Sequence, residues 1–312
     1  SPGFISRRLG LDDITQLEGE AFWRAYVDFW MGLGFDCVPM EIPLRCPLPE
    51  GHHATSEESE AKVCIRNRED FERYPWPDPA DPFDLAPFEI VAGLLPEGAR
   101  IVGGVMMGPY EWVSTMMGTV GLSYALADDP DLVRDVFATV GALHVGADRL
   151  LAGMDAVGAL RQGDDLGFKT STFLPPALLR EHVFPTYRRM AEAAHAADKP
   201  FILHSCGNLG DVYDDLIDDC GIDAKHSFED QILPVEQFKA QYGDRVTPLG
   251  GLDVDVICRA DEAELRAYTR RHIEACFARD GHWALGTGNS LTNYMPVENY
   301  LVVLEEGMAA TA

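Results

Sequence analysis

An eight-stranded (β/α) barrel, an α/β fold holding residues 1–312 in one domain, is the fold class this sequence predicts. Three observations lead to it. Short apolar segments ending in glycine or polar residues alternate with longer helical patterns, the rhythm of βα units around a parallel sheet. The chain has 312 residues, 46% of them hydrophobic, enough for one large core. Acid, imidazole, thiol or amide groups recur at successive strand ends, and barrels of this kind build their active sites at the C-terminal ends of the strands.

The strand candidates, in order, are "FDCVPMEI" (35–42), "ARIVGGVMM" (99–107), "AVGALRQGDD" (156–165), "PFILHSC" (200–206), "IDAKHSF" (222–228), "VTPLGGLD" (246–253) and "HWALGTGN" (282–289). Ahead of them "SPGFISRRLG" shows no strand pattern, so the eighth strand is unassigned. Residues 43–98 contain the proline-rich "YPWPDPADPFD" and read as a surface excursion or lid rather than a core element. "PPALLREHVFPTYRRMAEAAHAAD" reads as a helix in which Pro185 marks a kink or a junction. "ADEAELRAYTRRHIEACFARDG" places Leu265, Tyr268, Ile273, Cys276 and Phe277 on one stripe, has Asp261 and Glu264 at capping-box spacing, and stops at Gly281. Cys276 is therefore a core residue.

The strand ends carry Glu41, then Tyr110 after Gly108 and Pro109, then Asp164 and Asp165, His204 and Cys206, His226 and Glu229, Asp253, and Asn289. His204 and Cys206 stand two apart on a strand and so share a face, which suits a metal site. The plainer account is a small buried thiol beside a hydrogen-bonded imidazole. Structural accounts also exist for the others. One of Asp164 and Asp165 can cap the helix that follows, His226 and Glu229 can form a supporting pair, and "GGLDVD" around Asp253 can be a tight turn. Met106, Met107, Met116 and Met117 read as core filler.

Composition narrows the partners. The net charge is −26, and of 25 basic residues 5 are Lys. That field repels polyphosphates, and no basic patch offsets it, so nucleic acid is not expected as a partner. No apolar run spans a bilayer and no leader pattern is visible, so no membrane partner is expected and a cytoplasmic location is. The 7 cysteines show no paired spacing and read as reduced thiols.

"HSCGN", "GLDV" and "PVENYLVVLEEG", with "DDLGF" and "GPYEW", resemble the uroporphyrinogen decarboxylase (URO-D) superfamily over about residues 30–308. That superfamily consists of (β/α)8 barrels and holds both haem-pathway decarboxylases and cobalamin-linked methyltransferases. In the methyltransferase branch a His-x-Cys pair and a later Cys bind zinc. His204 and Cys206 match the pair, while Asn289, in "GTGNSLTNYMPVEN", stands at or beside the position of the second Cys. Glu41, Asp165 or His226 would then supply the third zinc ligand. A carboxylate in that role gives a harder metal, suited to the methyl-donor side of the reaction.

The resemblance implies a zinc-assisted methyltransferase that moves a methyl group from a small methylated donor to a corrinoid protein docking at the barrel mouth. Glu41, Asp164, Asp165, His226 and Glu229 would be catalytic, with Tyr110, Asp253 and Asn289 contacting the substrate. The alternative is a cofactor-free decarboxylase of uroporphyrinogen or a related aromatic acid, with Glu41 or Asp165 stabilising positive charge on the ring. The Gln-Ala-Gly-Arg segment that grips carboxylates in that branch is not found, and Arg7 and Arg8 replace it poorly. A ligand- or zinc-binding module without chemistry is the third reading.

Overall fold

Six parallel strands, each hydrogen-bonded to its successor in sequence, form the centre of the structure: β1 (Cys37–Pro43), β2 (Arg100–Met106), β3 (Val157–Gly163), β4 (Phe201–His204), β5 (Ala224–His226) and β6 (Thr247–Pro248). The structure, a computed structural model, describes residues 1–49, 63–277 and 281–311. Parallel neighbours require long crossovers, and helices fill them: Ala86–Leu94 before β2, Pro130–Ala152 before β3, Phe184–His195 before β4 and Val235–Tyr242 before β6. Beyond β6 the sheet continues through two isolated parallel bridges, Leu249 to Ala284 and Leu252 to Thr287. All seven strand positions read from the sequence are thus found. The seventh shrinks to bridges because Gly286 and Gly288 interrupt it.

The fold is that of a (β/α)8 barrel. Between segment 284–287 and β1 the described residues make no ladder. Helix α1 (Gly19–Gly32) stands against β1 there, with Tyr26 Oη donating to the Pro39 carbonyl (2.8 Å), and its aromatic face walls the interior. The main core lies between strands and outer helices. A second apolar cluster joins Phe4, Phe29 and Tyr300, packed edge to face.

Segment 43–98 departs from the surface reading. Phe83, Phe88 and Val91 are buried, and Ala86–Leu94 is the helix that leads into β2. Pro87 falls in its first turn, where the missing N–H has no partner to lose, so this proline starts a helix instead of breaking one. The portion 50–62 lies outside the described residues. Pro185 acts as read: a π-turn over Leu179–Val183 precedes it and Phe184–His195 follows. Helix α2 (Glu262–Cys276) has the expected Asp261–Glu264 capping box and buries Cys276, but ends at Phe277, short of Gly281. Met116 and Met117 are core; Met106 is 46% exposed and faces the interior chamber. No helix among the described residues is long and apolar enough to cross a membrane.

Candidate metal centre and adjoining chamber

Strand register brings the polar residues together in rows. Glu41 pairs with Gly104, and the step Gly103 to Leu160 sets Gly104 level with Arg161 on the next strand. One row higher, Gly163, His204 and His226 are neighbours across β3, β4 and β5. The middle position of the lower row must be glycine. A Cβ at Gly104 would lie 1.8 Å from the Arg161 carbonyl. With no side chain there, Glu41 and Arg161 reach across β2 and form an ion pair.

At the strand ends, donor atoms of Asp165, His204 and Cys206 all lie within 4.8 Å of one another. The Cys206 backbone N–H donates to Asp165 Oδ1 (3.0 Å), tying the end of β3 to that of β4. His204 Nε2 sits 3.6 Å from Cys206 Sγ and 3.9 Å from Asp165 Oδ1. Gly207, at φ 88°, turns the chain immediately after the cysteine and packs on the backbone of Gly167, 2.1 Å from where a Cβ would be.

A relay orients the histidine. His226 Nε2 lies 3.0 Å from the Thr287 carbonyl, and the two Nδ1 atoms of His204 and His226 are 2.6 Å apart. A carbonyl only accepts, so His226 carries its proton on Nε2 and accepts at Nδ1. His204 therefore donates from Nδ1 and presents an unprotonated Nε2 to the thiol and carboxylate. Burial lowers both histidines, His226 to about 4, and the charge His226 would carry lowers His204 further. The thiol receives the Asn289 amide N–H at 3.4 Å, with Ser227 Oγ at 3.3 Å, while burial pushes it up to about 11. The thiol proton satisfies the His204 Nε2 lone pair as the site stands; once it is released, imidazole, thiolate and carboxylate present three donors that a cation can bridge. The donor set thus fits a divalent transition metal: imidazole, thiolate and carboxylate are zinc ligands, and a bound cation releases the thiol proton.

Glu41, Arg161, His226, Thr287 and Asn289 line a chamber of about 550 Å³ whose opposite wall is aromatic: Phe22, Tyr26 and Trp30 of α1. Glu41, His226 and Asn289 are therefore assembled as a group, the last two touching the cluster directly. Asp165 is the expected substitute ligand that joins His204 and Cys206; Glu41 and His226 do not. The remaining expected residues lie elsewhere. Asp164 is 1% exposed, and its carboxylate accepts from the Tyr110 and Glu111 N–H groups and from Tyr187 Oη, so it caps the helix Pro109–Met117 and has no oxygen free for a substrate. Burial raises it and its neighbour Glu111, with the Glu111 charge adding to the first shift and the Asp165 charge to the second. Tyr110 is buried against Phe173, ring centroids 5.9 Å apart. Glu229 and Asp253 line a separate groove that meets the chamber at Asn289, and Asp253 also caps Val254–Arg259.

Sequence reasoning missed Arg161, Glu111 and Lys225. Arg161 was visible as a lone cation in an apolar strand with the parity of Asp165, and Glu111 as the third residue of a helix after Gly108-Pro109. Lys225 is buried beneath the site, its Nζ 4.2 Å from the Phe228 ring centroid and donating to the Ser227 carbonyl.

A parallel barrel with a thiol, an imidazole and a carboxylate converging at its strand ends, beside an aromatic chamber, defines a barrel protein with a cluster of candidate metal ligands at its mouth. Its lineage is equally plain. The chain belongs to the uroporphyrinogen decarboxylase (URO-D) family, whose sequence profile matches residues 53–307. Among solved structures it is similar to a methyltransferase from Methanosarcina mazei, at 15% identity and TM-score 0.70, covering 99% of this chain and 91% of the other. It is also similar to a protein described as a vitamin-B12 independent methionine synthase from Listeria monocytogenes, at 12% identity and TM-score 0.48, covering 99% and 94%. Comparison with curated proteins gives no match.

Proposed function

We propose that this chain is a zinc-assisted methyltransferase that takes a methyl group from a small methylated donor held in the chamber and passes it to a corrinoid partner. The single observation that carries the reading is the convergence of Asp165, His204 and Cys206 donor atoms within 4.8 Å beside that chamber. Zinc there would supply Lewis-acid polarisation of the methyl-bearing heteroatom, making it a better leaving group. The chain's residues prepare that position. His204 offers Nε2 because His226 and the Thr287 carbonyl hold its proton on the far side. Asn289, at or beside the position of the second cysteine in the methyltransferase branch that the chain resembles, steadies the Cys206 sulfur by donating a hydrogen bond to it. Of the carboxylates, Asp165 adjoins the heteroatom position, while Asp164 is spent on its helix cap. Decarboxylation of uroporphyrinogen finds less support, because Arg161, with one nitrogen on Glu41, leaves an edge for a single carboxylate and a polycarboxylated ring would lack a basic grip.

Metal analysis of protein purified without chelator tests the centre: about one zinc per chain is expected. Cys206→Ser and Asp165→Ala lose it, and Cys276→Ser keeps it. Equal metal in all variants would sink the assignment. Conversion of cob(I)alamin to its methyl form in the presence of methylated donors tests the reaction. With zinc bound but no turnover on ether, amine or thioether donors, the methyl-transfer reading fails.

A further inference from the structure

Among the described residues that line the chamber the one cationic side chain is Arg161, 21% exposed, and its ion pair with Glu41 uses one guanidinium nitrogen. The remaining N–H groups of Arg161 have no partner among the described residues. They form a planar fork, the geometry that matches a carboxylate through two parallel hydrogen bonds. Opposite stands the aromatic face of α1, where Phe22 and Tyr26 rings stack at an interplanar angle of 15° and Trp30 extends the surface.

We propose that the chamber takes an aromatic monocarboxylate, its carboxylate on the free edge of Arg161 and its ring against Phe22, Tyr26 and Trp30. This deepens the methyl-donor reading and rests on it only for what happens to the bound molecule; the binding itself requires neither metal nor corrinoid. One carboxylate is the limit. Glu41 and Arg161 offset each other, so a second anionic group would enter a chamber with no further positive side chain, inside a protein of net charge −26. An ammonium in the same place would leave the guanidinium N–H groups unmatched and meet a like charge. Glu41 competes with the ligand for Arg161, and that rivalry sets the sign of the variants' effects.

Calorimetric titration of the chelator-treated full chain with benzoate, benzamide and benzylamine tests the proposal. Benzoate is expected to bind at least tenfold more tightly than either of the others. Arg161→Met weakens benzoate by about ten- to hundredfold and leaves benzamide little changed. Glu41→Gln, which frees the guanidinium without removing it, strengthens benzoate several-fold, an effect no structural role of the pair would produce. If Arg161→Met does not fold, the Glu41→Gln titration and the comparison of the three ligands still decide. Benzamide or benzylamine binding as well as benzoate, benzoate binding only to zinc-loaded protein, or Glu41→Gln weakening benzoate would each overturn the proposal. Methyl transfer can fail in the corrinoid assay while benzoate binds as expected, so the two readings fall separately.

Discussion

A single backbone carbonyl decides the chemistry of a ring two residues removed from it. Thr287 fixes the tautomer of His226, and His226 fixes that of His204. Replacing His226 with Asn shortens the side chain and breaks the relay while sparing all three ligand candidates. A partner of this kind is worth about ten- to a hundredfold in metal affinity, so His226→Asn is expected to weaken zinc by that factor in chelator competition; unchanged affinity would show the relay to be idle. Lys225 gives a second reading at this scale. Burial lowers its ammonium to about 7. Below that pH the group is charged in folded and unfolded chains alike, and the folded state bears the cost of burying it. Between about 7 and the ordinary lysine value the folded chain releases its proton first, so stability rises with pH by up to about 1.4 kcal/mol per unit. Denaturant midpoints between pH 7 and 10 measure this slope, and Lys225→Met should flatten it.

Elements hold the site through register, and register depends on what is absent as much as on what is present. Gly104 leaves the gap over which Glu41 meets Arg161, and a methyl group there runs into the β3 backbone. Gly104→Ala is expected to cost about 1–3 kcal/mol by overpacking and to impair ligand binding, both measurable on one purified variant. Asp261→Ala, far from the site, should cost about 1 kcal/mol through the lost cap of α2 and leave zinc untouched. The capping box, the stripe ending at Cys276 and the strand positions were legible because each is a local pattern. The Glu41–Arg161 pair was not, because neither residue names its partner until β2 sets them level. The role of Asp164 was hidden for the same reason: it caps a helix 54 residues earlier in the chain. Proline composition misled over 43–98, since position within a helix, and not composition, determines what Pro87 does.

For the whole molecule, the acidic excess dominates. Like charges spread over the surface repel in the compact state more than in the extended chain. Salt shortens the reach of that repulsion to about 10 Å at 0.1 M. Raising NaCl from 0.01 to 0.5 M is therefore expected to raise the melting temperature, as read by scanning calorimetry, and a fall would mean that surface ion pairs outweigh the repulsion. The barrel class was readable from the rhythm of the chain, and the mouth from its polar strand ends, because strand order follows sequence order. Closure was not readable. The sector between segment 284–287 and β1 carries no strand signal because a helix face stands there.

That helix wall has a consequence for how such a protein diversifies. Phe22, Tyr26 and Trp30 recur at intervals of four on α1, and none contributes a rung to the sheet. Exchanging them alters the shape offered to a bound molecule while the ladder, and the thiol and imidazole it aligns, stay where they are. Chemistry and selectivity are thereby inherited on separate elements, and a lineage can change its substrate by redecorating one helix.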